Sequence, residues 1–259
     1  MADDFDPEVA TRARAWRTAA LIAVCDTVTP WQHGTVWLAT RYPTYFDFNL
    51  VRVDDDPGMT VGELTTFAED ALDGLIHRRF DFDSIEAAEA RRAGFHALGW
   101  RSLRLLWMRH DGNKPAAGLP VEEVPYDAVQ DLRVSWYDED HPDQIAGSYH
   151  EHAREVALRR GVRVLAVNRG GRPVAFAHLE RAGDAAEITQ VYVHPDHRGE
   201  GIGTAMTRAA IEAAGKVRDL WIAADDEARA KTLYARLGFS PAWTAMEITR
   251  WPGARAAPG

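Results

Sequence analysis

The segment Val191-Tyr192-Val193-His194-Pro195-Asp196-His197-Arg198-Gly199-Glu200-Gly201-Ile202-Gly203-Thr204 limits the fold more than any other. A strand pattern ends at Val193, Pro195 breaks it, and a glycine-rich turn opens a helical pattern at Ile202. The first N–H groups of a helix have no intrahelical acceptor and lie at the positive end of its dipole. Gly199, Gly201 and Gly203 carry no Cβ, so backbone amides here can approach a bulky anion closely. Arg198 adds a cation. The segment reads as an anion site built from backbone at a strand–turn–helix junction; the bland alternative is a plain glycine-rich loop. The spacing departs from G-x-G-x-x-G, and no Lys precedes Thr204 as in a Walker loop. A dinucleotide-binding fold is therefore a weak rival.

The pattern on either side is α/β. In the first half, Pro7–Val24 reads as a helix, 35–39 and 46–53 as strands, Thr60 as the start of a capped helix running to about Asp73, 75–82 as a strand, 84–97 as a helix stopped by Gly99, and 103–108 as a strand. In the second half, 126–137 and 144–160 read as helices. Residues 162–167 and 173–179 form a hairpin about Asn168-Arg169-Gly170-Gly171. Then come a strand at 187–193, a helix at 202–214, a strand at 220–223, a helix at 227–237 and a strand at 243–250. Both halves end strand–helix–strand–helix–strand. The punctuated stretch 113–120 reads as a linker between a domain at 1–112 and a second at 121–259, and 252–259 as a loose end.

Composition excludes several classes. A net charge of −9 argues against nucleic-acid binding. No run approaches the roughly 20 apolar residues that cross a bilayer, and Met1 to Pro7 is acidic, unlike a secretory signal. A single cysteine, Cys25, permits neither an internal disulfide nor a cysteine zinc site, and it follows an apolar run that suggests a buried thiol. No His/Asp/Glu spacing suggests a metal. The expectation is a cytoplasmic protein with no membrane or nucleic-acid partner; a homodimer stays open.

Val193-His194-Pro195 followed by Arg198-x-x-Gly201-x-Gly203 resembles the acetyl-CoA signature of the GNAT superfamily of N-acetyltransferases. The stretch Ala230-Lys231-Thr232-Leu233-Tyr234-Ala235-Arg236-Leu237-Gly238-Phe239 resembles the family's second mark, in the same order and spacing. The likeness covers about Val121 to Arg250, with Glu227 standing where the family usually has Asn. It implies a mixed, mostly antiparallel sheet flanked by helices. It implies acetyl-CoA as acyl donor, with the diphosphate at Arg198, Gly199, Glu200, Gly201, Ile202, Gly203 and Thr204 and the pantetheine arm along Val191 and Val193. A backbone N–H near Val191 would face the thioester oxygen, Tyr234 would be the general acid, and Glu187 the preferred general base. The acceptor would be a primary amine of a small molecule or a protein. For Tyr234 a core aromatic, and for Glu187 a solvated strand-end carboxylate, remain the bland alternatives. His194 and His197 read as surface or structural. Asp138-Glu139-Asp140-His141-Pro142-Asp143 reads as an acidic loop bordering the acceptor site or as a solvated loop, and Trp136 and Tyr137 as pocket wall or core.

The first half has Asp54-Asp55-Asp56-Pro57-Gly58 after its candidate central strand, where three carboxylates would repel a diphosphate. Phe95-His96-Ala97-Leu98-Gly99-Trp100 faintly echoes the Tyr234–Phe239 ending. The expectation is thus two tandem GNAT-like domains, the first a degenerate copy. A non-catalytic acyl-CoA-binding sensor is the alternative.

Overall fold

The structure, a computed structural model, describes residues 5–112, 119–141 and 146–251. The expected linker residues 113–118, residues 142–145 with the acidic Asp143, and the end 252–259 lie outside the described residues. Two compact units are distinguished: Met1–Leu106 with Asp225–Glu227 and Trp243–Gly259, and Trp107–Ala224 with Ala228–Ala242.

The first unit opens with α1 (Pro7–Val24), which Asp6 caps by accepting from the amides of Glu8 and Val9. Strands β1 (Thr27–Trp31), β2 (Gly34–Leu38) and β3 (Leu50–Val53) form an antiparallel meander, and β3 runs parallel to β4 (Arg78–Phe82). Between β3 and β4 lies α2 (Val61–Ala71). It starts in a full capping box: Thr60 Oγ1 accepts from the Glu63 amide at 3.3 Å, and the Thr60 amide donates to Glu63 Oε2 at 2.8 Å. Then come α3 (Ile85–Ala97), capped by Ser84, and β5 (Arg101–His110), whose last residues belong to the second unit. The expected strand 46–53 starts only at Leu50. Asn49 is buried, and its amide donates to the carbonyls of Tyr42 and Tyr45 and accepts from the Ala39 amide, so the chain before it folds into a turn. β1 was not expected; Pro30 is tolerated there because the strand is an exposed edge. Cys25 is half-buried rather than fully buried. It donates to the Phe48 carbonyl, and burial pushes its thiol up to about 12.

In the second unit, β6 (Glu122–Val124) is followed by α4 (Gln130–Asp140) and α5 (Tyr149–Arg159). Strands β7 (Arg163–Arg169), β8 (Arg172–Ala182) and β9 (Ala185–Val193) are an antiparallel meander, and β9 runs parallel to β10 (Asp219–Asp225). Helix α6 (Ile202–Ala214) joins β9 to β10 and packs on β7, β8 and β9. The short α7 (Ala230–Arg236) leads into β11 (Phe239–Arg250), whose residues from Trp243 pair with β4 in the first unit. The mixed, mostly antiparallel α/β fold implied by the family resemblance is what the chain adopts. Each unit also repeats one pairing pattern, a three-strand meander whose last strand gains a parallel neighbour across a helix.

Candidate active site

The glycine-rich segment forms the turn into α6. Gly199 and Gly201 have φ of +84° and +78°, conformations that side-chain-bearing residues rarely adopt, and nothing lies within 4 Å of where a Cβ would stand on either. Gly201 caps the helix with no side-chain hydrogen bond, and the first intrahelical bond in this turn runs from the Ala205 amide to the Gly201 carbonyl. The turn therefore offers unblocked space above a bare helix start, which suits a diphosphate. Gly203 serves packing: a Cβ there would touch Val193 at 3.8 Å and Leu233 at 3.9 Å, so α6 lies close against β9 and α7. Ile202 is buried beneath, Thr204 is half-buried, and Glu200 faces solvent 3.5 Å from His197 Nδ1. Arg198 ties the turn down. Its Nε donates to the Val193 carbonyl at 3.0 Å and its Nη2 to Glu139 Oε2 at 2.7 Å, with the guanidinium 5.7 Å over the Tyr192 ring.

The central strands part beside this turn. The β9–β10 ladder runs from Ala185↔Asp219 to Ile188↔Ile222, while β8–β9 pairing continues to Val193↔Ala175. From Thr189 onward β9 thus has no ladder to β10. A bulge falls at the same place. His178 pairs with Thr189 and Phe176 with Tyr192, so Gln190 and Val191 together face Ala177. Gln190 has φ +50°, the only described residue other than glycine with positive φ. The bulge interrupts the regular ladder at Gln190 and Val191.

Sequence reasoning did not single out what lies under this bulge. Arg133 of α4 is fully buried. Its Nη1 donates to Gln190 Oε1 and lies 3.3 Å from His178 Nε2, and the guanidinium sits 4.7 Å over the Tyr126 ring and 6.0 Å from the Phe176 ring. Nε and Nη2 meet no acceptor among the described residues. Burial, and then Arg133, holds the His178 imidazole well below its usual range, so it is neutral and can accept from Arg133. A signal was available: Tyr126, Val129, Arg133 and Tyr137 share one helical stripe, and an arginine among apolar neighbours needs a reason.

Glu187 is half-buried near the start of β9, directly between Glu180 of β8 and Trp221 of β10. Glu180 pairs with Arg160, and burial pushes its carboxyl up. At about 3.3 Å per residue, Glu187 stands roughly 13 Å along the strand from Val191. Tyr234 is buried in α7, 6.1 Å from the Phe239 ring, and burial pushes its phenol up to about 12. Asp138, Glu139 and Asp140 are not in a loop, as expected, but in the last turn of α4. Glu139 accepts from Arg198 and from the Tyr192 hydroxyl at 3.2 Å, and burial raises the Asp140 carboxyl. Tyr137 is core and Trp136 only half-buried. Glu227 accepts from Arg92 Nη1 at 2.8 Å, which lowers its pKa. Among the described residues no group of three or more His, Cys, Asp or Glu could hold a metal, and no helix is long and apolar enough to cross a membrane.

Residues 160–241, which include the meander, the bulge, the glycine turn and α7, match the family profile described as an acetyltransferase (GNAT) domain. Over these residues the chain is similar to a GNAT-family acetyltransferase domain. Two curated relatives are similar to part of the chain. An uncharacterized N-acetyltransferase of Methanocaldococcus jannaschii is 38% identical over 81 residues, 27% of this chain and 35% of that one. A mycothiol acetyltransferase of Mycolicibacterium vanbaalenii is 30% identical over 128 residues, 49% of this chain and 42% of that one. The matches thus span less than half the length of these relatives. Among solved structures, a functionally unknown conserved protein of Staphylococcus epidermidis superposes with TM-score 0.64 at 15% identity, covering 88% of this chain and 94% of that one. A GCN5-related N-acetyltransferase of Kribbella flavida gives 0.56 at 18%, covering 94% and 96%. These likenesses extend the fold of the GNAT neighbours over most of the chain.

Proposed function

We propose that this protein is an N-acyltransferase that moves an acetyl or other short acyl group from acetyl-CoA to a primary amine by direct attack. The observation that carries the reading is the coincidence, in one domain, of three features: an uncapped α6 start under open space, the β9–β10 split, and the Gln190–Val191 bulge between them. The diphosphate rests on the amides from Gly199 to Thr204, and the pantetheine arm adds to the exposed edge of β9 from Val191 to Val193. The amine nitrogen attacks the thioester carbon, and the Val191 N–H stabilises the oxyanion that forms. The C–S bond then breaks and Tyr234 donates to the departing sulfur. At about 12 its phenol is a weaker acid than a thiol, so it contributes a hydrogen bond more than a completed proton transfer. The amine proton leaves through water toward Glu187, whose distance from Val191 rules out direct contact. Three carboxylates in the last turn of α4 oppose the helix dipole and so do not favour the helix; a cationic amine near them would.

The first unit supports one cofactor per chain. The helix that follows its β3 is closed by its own capping box, with the Glu63 carboxylate on the Thr60 amide where α6 has only Gly201. Asp54, Asp55 and Asp56 are held by Arg52, His33 and Arg91. We read this unit as a degenerate copy of the catalytic domain.

Calorimetry with acetyl-CoA, CoA and NAD, followed by thiol release against a panel of small amines and N-terminal or lysine peptides, tests the function. Saturable acetyl-CoA binding and amine-dependent thiol release are the expected results. Tight NAD binding without acetyl-CoA binding would defeat it. One relative bears the name mycothiol acetyltransferase, so the desacetyl form of mycothiol joins the panel.

A further inference from the structure

A buried guanidinium normally meets a carboxylate, because an arginine stays charged in any protein interior. Arg133 is fully buried and meets none among the described residues. Its partners are the Gln190 side-chain oxygen, a neutral imidazole at His178, and the faces of Tyr126 and Phe176. Gln190 in turn holds a left-handed conformation that its side chain disfavours, at the one place where β9 leaves its ladder. Such a conformation persists only where the surroundings enforce it. We infer that Arg133 is a positioning residue for acyl transfer: its grip on the Gln190 side chain holds the bulge that aims the Val191 amide at the thioester oxygen. This role rests on the acyltransferase reading for its consequence in catalysis, but the grip itself does not.

The inference makes a specific claim about backbone conformation, which glycine can test. Glycine adopts φ +50° without help, so Gln190→Gly needs no clamp. Arg133→Met keeps volume and removes a costly buried charge, so folding should survive. With the clamp gone and Gln190 intact, kcat should fall on the order of 10- to 100-fold, toward the loss that follows removal of an oxyanion donor, with the Kd for CoA within about twofold. The double variant Arg133→Met/Gln190→Gly should regain most of that loss. A merely structural Arg133 predicts no such rescue, since removing a second side chain does not restore packing. Gln190→Ala, which keeps Arg133 but removes its grip, should mimic Arg133→Met and serves if the latter melts early.

Hydrogen exchange of peptides spanning Thr189 to Val193 separates this inference from the functional one. It should quicken in Arg133→Met whether or not the wild-type protein turns over any amine in the panel. Wild-type kcat in folded Arg133→Met, a double variant no faster than the single, or unchanged exchange would each overturn the inference.

Discussion

At Tyr234 a packing role and the proposed chemistry make different predictions. Tyr234→Phe keeps the ring against Phe239 and removes only the hydroxyl, so the melting temperature near neutral pH should hardly move. General acid–base groups contribute ~100- to 10,000-fold; a thiolate departs more readily than an amine or alkoxide, so kcat should fall toward the low end with the KM for acetyl-CoA unchanged. Steady-state kinetics and a melt on one preparation distinguish this from a core-only tyrosine, which keeps kcat and lowers the melting temperature. The raised phenol adds a pH signature. A tyrosine near 10 when unfolded and about 12 when folded stabilises fully below pH 10 and loses that contribution as pH rises toward 12. Denaturant melts across pH 10–12 should therefore show a shallower decline for Tyr234→Phe than for the wild type. Tyr234 and Arg198 drew notice in the sequence because each sits in a motif whose neighbours are fixed by type. Gln190 did not: a bulge is a matter of pairing register, and any residue can occupy it. Arg133 was visible only as an arginine on an apolar stripe.

Among elements, the glycine turn with α6 was read to the residue because strand, proline, glycines and helix each leave a separate mark. Its two properties can be taken apart. Gly201→Ala imposes a side chain at φ +78° with space to spare, so it should cost about 1 kcal/mol of stability and weaken acetyl-CoA binding modestly. Gly201→Asp adds a carboxylate facing the diphosphate and should weaken binding further, and beyond Arg198→Ala, which deletes one exposed cation. Unchanged CoA affinity in a folded Gly201→Asp protein, measured by calorimetry, would move the cofactor elsewhere. In the first unit Thr60→Ala should cost about 1 kcal/mol by loss of the α2 cap and leave acetyl-CoA binding intact. Capping rules made α2 and α3 readable in the same way. The start of α5 was missed by several residues, because no capping side chain marks its first turn.

For the whole molecule the prediction is one acetyl-CoA per chain. A calorimetric stoichiometry near two would show that the α2 start accepts a diphosphate despite its capping box and that the first unit is not degenerate. The repeated pairing pattern of the two units goes with their shared strand–helix–strand–helix–strand endings, since each strand and helix leaves its own periodicity in the sequence. The crossing of β5 and β11 between the units was not legible, because strand pairing between distant segments leaves no local trace in either one.

That crossing sets an order of events during synthesis. The first unit's strand β4 takes its antiparallel partner from Met246 to Arg250, and its apolar core includes Met246 and Ile248. The buried pair Arg17 and Arg79 shares Asp81 with Glu247, which lies on the same late strand. At about 5–20 residues per second, on the order of ten seconds passes between translation of β4 and of its partner. In that interval β4 presents an unpaired edge, and the guanidinium groups of Arg17 and Arg79 both await Glu247. The amino-terminal unit therefore cannot complete its sheet and core until residues 246–250 have been made. A chain ending at residue 242 should pellet on expression, and co-expression of a peptide carrying residues 239–251 should return part of it to solution.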